Sequence, residues 1–337
     1  MKWIEPNIDS ICTKRIIYFS DEHKETCEKI CDVLKIDLFP DADHNSYKTL
    51  IDGKWEKEKI TDEQKITIDL KIFDTKKVTE NKKEGKTKNQ ENEKSPKLGK
   101  CEDNDILEKM ERSKSNILFC YKEDLLSGII HFSNYNTELV YKSLYQNFYT
   151  FETNLREHLI SLNISYKDFE DYYKIKSNKD LKVNMNNNNE NTPKSHNTKK
   201  LEYLQSQKFK DDSNKLRPLQ LLTIKELLSF SISSYHCTET LEKIGLSGIQ
   251  EANISDLRNT IMHSKDFTGA TENLPFVLET FVKFFKQVLE FRKAFLRLSE
   301  IREKQAIDKK IKYNKYILKQ IGDMEDNEIE DFFYNRL

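Results

Sequence analysis

Apolar and polar residues of the first 75 positions follow two different periods. The segments Arg15–Phe19 and Lys65–Ile72 are rich in β-branched residues or alternate in polarity, which predicts strands. Between them, Thr26–Ile36 carries apolar residues at helical spacing, and Leu38–Asp41 leads into a turn. The pattern therefore predicts a strand–helix–strand order.

A second alternating region follows a polar stretch and contains a hairpin. Ile106–Lys114 has the pattern of a short helix, and Asn116–Tyr121 and Leu125–Phe132 have the pattern of strands. Lys122–Asp124 lies between these strands and predicts the turn.

From Thr137 onward the apolar period lengthens to about 3.5 residues, which predicts helices. Thr223 and Glu226 form a capping-box pattern that opens a helix through about Tyr235. A short helix is expected over Thr238–Ile244, and Pro275 begins the longest one. That last helix has apolar residues at alternating gaps of four and three: Val277, Phe281, Phe284, Val288, Phe291, Phe295 and Leu298. Such a seam is a packed core or a dimer interface, and the core is favoured.

Three polar regions interrupt this pattern. Residues 75–104 and 174–215 contain few apolar residues, and we expect both to be disordered insertions. Residues 304–337 form a tail with a Lys-rich helix followed by an acidic segment, which is a docking peptide or, more simply, a fraying extension. Taken together, the pattern predicts an α+β protein with an N-terminal α/β part and an all-α part after it.

Composition excludes several classes of protein. Charged residues are 34% of the chain with a net charge of −1, which argues against a general DNA-coating protein. The six cysteines contain no CxxC pair, so a zinc site and a disulfide framework are not expected. We find no signal-peptide pattern, membrane-span pattern, Walker A loop or GxGxxG, so a cytoplasmic protein without nucleotide hydrolysis or dinucleotide chemistry is expected.

The candidate chemistry lies in Arg258-Asn259-x-x-x-His263. By composition, such a spacing arises by chance about 0.6 times in a chain like this. Whether it marks a functional motif therefore depends on the surrounding sequence. Ser255 is placed to cap a helix over about Asp256–Lys265, on which Asn259 and His263 share a face. Arg258 then lies about 140° round the helix from His263. The alternative is a surface arginine and a half-buried histidine with no joint role.

This motif, set among helices over Thr137–Glu303, resembles the HEPN family of ribonucleases. The resemblance implies RNA cleavage without a metal or other cofactor, leaving 2′,3′-cyclic phosphate ends. His263 would move the protons, Arg258 would bind the scissile phosphate and Asn259 would position His263. It also implies a homodimer, with motifs of both subunits facing one cleft, and a role as a toxin or antiviral defence effector.

The hairpin that ends in Gly128-Ile-Ile-His-Phe-Ser-Asn134 resembles the end of a cystathionine-β-synthase (CBS) domain. With the strand–helix–strand order before it, this resemblance covers about residues 9–136 and implies a tandem CBS pair. Such pairs bind adenosine-type nucleotides, and the ribose-binding positions match His131, Ser133 and Asn134. Asn134 is neutral, so it lacks the charge that an aspartate would offer the ribose hydroxyls.

We therefore predict a CBS-like sensory domain at 1–136, a HEPN-like helical domain at 137–303 and a tail at 304–337. The predicted function is a metal-independent endoribonuclease that is gated by the N-terminal domain, with RNA as substrate and an antitoxin or regulatory protein as a further partner. The alternative is a non-enzymatic scaffold that binds a ligand and a partner chain.

Overall fold

The structure is a computed structural model with an α+β fold. It describes residues 1–34, 38–73, 105–113, 116–186, 194–215, 218–232, 246, 248–263, 278–324 and 328–329. These form two compact units, one from Ile4–Gln146 with Asp256–Leu289, and the other from Met1–Trp3, Asn147–Ser255 and Glu290–Leu337. The domain boundary near residue 136 stays a prediction.

The first unit, Ile4–Gln146 with Asp256–Leu289, contains two three-stranded sheets. The first sheet is antiparallel with the order β1-β2-β3, and in the second β4 pairs in parallel with β5, which pairs antiparallel with β6. Its strands and its first two helices are α1 (Lys24–Leu34), β1 (Leu38–Pro40), β2 (Ser46–Ile51), β3 (Lys54–Lys59), β4 (Lys65–Thr67), α2 (Asp105–Arg112), β5 (Ile117–Lys122) and β6 (Leu125–His131).

The hairpin β5–β6 and the helices α1 and α2 confirm the predictions made for those segments. The strand predicted for Arg15–Phe19 is wrong, because this region has no regular secondary structure and lies outside the sheets. Its apolar residues Ile16 and Tyr18 pack on the buried cluster of Leu38 and Phe119, which explains why they alternate without pairing as a strand. The segment from Leu38 leads into a turn as predicted, since strand β1 ends at Pro40 and a turn follows at residues 42–43.

The β2–β3 hairpin is absent from the sequence predictions. Asp52 and Gly53 connect its strands with φ angles of 49° and 74°, as a tight two-residue hairpin turn requires. The sequence Lys54-Trp-Glu-Lys-Glu-Lys59 has no buried position and only two half-buried ones, so it lacks the apolar alternation that marks a strand.

Aromatic side chains form much of the interior of this unit. Phe73, Tyr135, Phe281 and Phe285 are fully buried and contact one another at ring centroid distances of 5.0–5.8 Å. The Tyr135 hydroxyl donates to the Ile72 carbonyl at 2.8 Å, so its polar end is satisfied inside the core.

The second unit is helical among its described residues. Its helices, three of which begin or end in the first unit, are α3 (Glu138–Ser161), α4 (Tyr166–Asn186), α5 (His196–Gln205), α6 (Gln207–Lys215), α7 (Ile224–Ile232), α8 (Glu251–Met262) and α9 (Leu278–Gly322). The capping box that opens α7 is confirmed, since the Thr223 N–H donates to Glu226 Oε2 at 2.8 Å and the Glu226 N–H to Thr223 Oγ1 at 3.4 Å.

The disordered insertion expected at 174–215 is wrong, because helices α4, α5 and α6 occupy much of it. Single apolar residues such as Leu204 and Phe209 are fully buried there. Polar contacts connect α4 to α5: Ser177 and Thr198 hydroxyls lie 2.9 Å apart, and Asn197 donates to Asp180 at 3.0 Å. The expected insertion at 75–104 and the expected helix at 238–244 lie outside the described residues.

The apolar seam of α9 is core, which confirms the favoured interpretation. In this unit, Phe291 stacks on Phe148 with centroids 3.9 Å apart and also contacts Trp3 and Phe151. Its seam positions Phe291, Phe295 and Leu298 have no exposed surface. The seam is therefore not available as a dimer interface, and a dimer needs another surface.

Gly128 of β6 offers a test of packing in the first unit. A Cβ at this position would lie 2.7 Å from Cys12 Sγ and 3.2 Å from Cys12 Cβ. Gly128→Ala is therefore expected to lower the free energy of unfolding by about 1–3 kcal/mol, as overpacking does. Urea denaturation measures this, and Cys12→Ala in the same chain should restore part of the loss by removing the closest atom. An additive double variant would contradict this contact.

Candidate functional site

Helix α8 carries the Arg258–His263 motif but begins earlier than expected. It starts at Glu251, and the N–H of Gln250 at its N-terminal end donates to Glu290 Oε1 at 3.0 Å. Ser255 therefore does not cap the helix, and this prediction is wrong. Ser255 lies within α8 rather than before it. Its side chain is buried, and its Oγ has no hydrogen-bond partner within the described ranges.

Asn259 and His263 are aligned along one side of α8. The His263 N–H donates to the Asn259 carbonyl at 3.1 Å, so the helical turn continues to His263 although α8 ends at Met262. Both side chains are exposed. This matches the shared face expected from their spacing of four residues, and it leaves the imidazole open to solvent and to a bound molecule.

Arg258 lies on a different side of the helix. It is half-buried on a helix whose neighbouring positions Leu257 and Ile261 are buried, and its Nε is enclosed with no hydrogen-bond partner in the described part of the chain. An enclosed donor without a partner costs about 1–3 kcal/mol. Among these same residues no hydrogen bond joins the side chains of Arg258 and His263, which helix geometry sets about 140° apart.

Within one chain, the motif therefore provides an imidazole and a guanidinium on different sides of α8, and these two groups do not form one active site. An exposed imidazole can exchange protons near neutral pH, and a half-buried guanidinium can bind an anion such as a phosphate where it reaches solvent. The described residues contain no group of three or more His, Cys, Asp or Glu side chains that could hold a metal ion.

The structure brings His131, Ser133 and Asn134 together, in the 3-10 turn that follows β6. The His131 N–H donates to Asn134 Oδ1 at 2.8 Å, and His131 Nδ1 lies 2.8 Å from the Ser133 hydroxyl and accepts from the Ser133 N–H at 3.3 Å. Asn134 Nδ2 also donates to Thr13 Oγ1 at 3.3 Å. The polar atoms expected to hold a ribose are therefore used to cap this turn.

Burial also affects the His131 ring. Loss of solvent lowers the pKa of His131, because the charged form is disfavoured away from water. The ring lies against Phe132 with centroids 4.0 Å apart. A neutral imidazole can accept at Nδ1, as the contact with the Ser133 N–H requires.

A polar cavity of about 450 Å³ lies elsewhere in the same unit, at the carboxyl ends of β4 and β5. Its lining includes Lys65, Thr67, Tyr121, Glu123 and Asp124, and none of the predicted ribose-binding residues. Two carboxylates face one lysine in this lining, so its charge does not favour a phosphate.

Two cysteines form a pair that sequence reasoning missed. A hydrogen bond from the Cys120 thiol lowers the pKa of the Cys12 thiol to about 7, and this contact together with burial raises the pKa of Cys120. Cys12 Sγ also packs against Gly128, the register partner of Cys120. More than a hundred positions separate the two cysteines in sequence, so no spacing motif could have indicated the pair.

Comparisons with known proteins add no further constraint: no family model, no curated protein and no solved structure matches this chain. Within the described residues, no helix is both long enough and apolar enough to span a membrane.

Proposed function

We propose that this protein is a metal-independent endoribonuclease of the HEPN type, with RNA as its substrate. The observation that supports this most is the arrangement of the motif on α8. His263 is exposed and aligned with Asn259, while the nearby Arg258 is half-buried and has no ion-pair partner among the described residues.

The proposed reaction needs only these side chains. His263 accepts the proton of a ribose 2′-hydroxyl, whose oxygen attacks the adjacent phosphorus as the bond to the 5′-oxygen breaks. The protonated His263 then returns a proton to the leaving 5′-oxygen, so the products are a 2′,3′-cyclic phosphate and a 5′-hydroxyl and the imidazole is neutral again. Arg258 stabilises the negative charge that increases on the phosphate, and Asn259 orients the imidazole.

The separation of Arg258 and His263 favours a site that is shared by two copies of the chain. Side chains about 140° apart on one helix reach one phosphate poorly. In a homodimer, His263 of one subunit and Arg258 of the partner subunit would approach the same phosphate from two sides.

The remaining parts of the proposal concern regulation. The protein would act in the cytoplasm as a toxin or antiviral defence effector, controlled by an antitoxin or regulatory protein or by an adenosine-type nucleotide at His131, Ser133 and Asn134. Because those residues cap a turn, such a nucleotide would have to replace hydrogen bonds within that cap.

A non-enzymatic scaffold is the second candidate. The partial burial of Arg258 and of its Nε favours it, since a side chain enclosed in this way can have a structural role alone. The capping role of His131 and Asn134 favours it as well.

The chemistry of the product ends separates these candidates. Incubation with a defined single-stranded RNA should yield fragments with 2′,3′-cyclic phosphate and 5′-hydroxyl ends, which mass spectrometry identifies directly. An RNA in which every 2′-hydroxyl is methylated should stay intact, because the attacking oxygen is blocked. Fragments with 5′-phosphate ends, or cleavage of the methylated RNA, would contradict the proposed mechanism.

A further inference from the structure

The C-terminal part of α9 extends past its buried seam as an exposed helix. The Ser299 hydroxyl still donates to the Met1 carbonyl, and Gln305 Oε1 lies 3.2 Å from His158 Nδ1. Every residue from Ala306 to Tyr316 is exposed. We call residues 304–319 the basic arm, which is about 24 Å long at the helical rise.

Charge is concentrated in this arm. It contains six lysines and one aspartate, for a net charge of +5, whereas the whole chain has a net charge of −1. At 100° per residue, five of the lysines lie within an arc about 140° wide. These five are Lys304, Lys309, Lys312, Lys315 and Lys319. Among the described residues none of them forms an ion pair.

Two exposed tyrosines accompany the lysines. Tyr316 lies inside the lysine arc and is 58% exposed, and Tyr313 lies about 40° beyond the arc and is 54% exposed. Gln320 Nε2 donates to the Tyr316 hydroxyl at 2.8 Å, which holds the Tyr316 ring on the surface of the helix. An exposed ring beside lysines that have no ion-pair partner in the described ranges offers a base a stacking surface and its phosphate a counter-charge.

The composition of the arm, including its opposite arc, argues against two other binding partners, a lipid surface and a second copy of the arm. The opposite arc carries Ile307, Ile311 and Leu318, but Lys310 and Asn314 interrupt it, which disfavours burial in a lipid surface. A second copy of the arm would bring like charges together. Single-stranded RNA uses both the lysines of the other arc and the tyrosines in and beside that arc, so it fits these observations best.

We propose that the basic arm binds single-stranded RNA, with the five lysines on phosphates and the two tyrosines stacked on bases. The inference names a substrate contact and so rests on the proposed ribonuclease function. The experiment must therefore measure RNA binding under conditions in which the RNA cannot be cleaved. A fluorescent RNA 20-mer with all 2′-hydroxyls methylated has no nucleophile for the proposed reaction, and its anisotropy reports binding by the full chain alone.

The main variant replaces Lys309, Lys312, Lys315 and Lys319 by glutamine. Each neutralised phosphate contributes about 0.7 to the slope of log affinity against log salt, so the variant should bind more weakly and lose about 2.8 from that slope. Tyr313→Ala with Tyr316→Ala should weaken binding about tenfold or more while leaving the slope unchanged.

A matched control replaces four exposed lysines of α4 and α6 by glutamine: Lys167, Lys174, Lys182 and Lys208. It makes the same change in net charge, and its binding should match that of the wild type. Equal losses in both variants, or wild-type binding by the arm variant, would overturn the proposal. Circular dichroism confirms that each variant keeps its helices.

Two further outcomes are informative. Ile307→Ser with Leu318→Ser should leave RNA binding intact, and a loss there would place the contact on the wrong arc. Stronger arm-dependent binding to phosphatidylserine vesicles than to RNA would overturn the proposal in favour of lipid. Arm-dependent binding by a chain that cleaves no unmodified RNA would sustain this inference while refuting the proposed catalysis.

Discussion

His263→Ala is expected to slow RNA cleavage about 10²–10⁴-fold, because removing a general base costs about that much. Arg258→Ala should slow it about 10²–10³-fold, since one donor to the developing charge is lost. Single-turnover cleavage of a labelled RNA measures both rates. His263 is exposed, so its replacement should leave thermal unfolding unchanged.

His196→Ala is the matched control for this prediction, because His196 is also an exposed histidine on a helix of the chain. Its rate should equal that of the wild type. An equimolar mixture of the His263→Ala and Arg258→Ala chains provides a second control. If the site combines residues of two subunits, the mixture should regain about a quarter of wild-type activity through mixed dimers. Normal cleavage by both single variants would refute the assignment of the site.

Phe291→Ala is expected to lower the free energy of unfolding of the helical unit by about 3–5 kcal/mol. The ring is fully buried, stacks on Phe148 at 3.9 Å and meets Trp3 at 5.4 Å, so its removal leaves a cavity between α9 and its neighbours. Denaturation in urea, followed by far-ultraviolet circular dichroism, measures the loss.

Leu296→Ala is the control for this core prediction. Leu296 is on the same helix but 44% exposed, so its replacement should change stability by no more than about 0.5 kcal/mol. Equal effects of the two substitutions would show that the Phe291 packing is misassigned.

Much of the fold was predictable where local patterns and tertiary burial agree. The β5–β6 hairpin alternates around a short turn, and the α7 capping box satisfies its own backbone groups. The α9 seam repeats through Leu298 and is buried there. In each case the residues that define the pattern also make the contacts.

Other parts depend on contacts that a local pattern does not contain. Helices α5 and α6 are mostly polar and are held to their surroundings by isolated residues such as Leu204 and by hydrogen bonds such as Asn197 to Asp180. Ser255 looks like a cap by its position before Asp256, but Glu290, distant in sequence, accepts the N–H of Gln250 near the true helix start.

The candidate site shows the same limit. Spacing alone places Asn259 and His263 on one face, which the hydrogen bond from the His263 N–H to the Asn259 carbonyl matches. Spacing could not reveal that the Arg258 Nε is enclosed, or that His131 and Asn134 complete a turn cap, because both depend on side-chain packing.

Cleavage of a defined RNA by the purified wild-type chain in excess EDTA tests the central claim most directly. The proposed reaction uses His263 and Arg258 and no metal ion, so the rate in EDTA should equal the rate in magnesium, and His263→Ala should remove it in both. Cleavage that stops in EDTA, or that proceeds at the wild-type rate in the His263→Ala chain, would contradict a metal-independent HEPN-type ribonuclease.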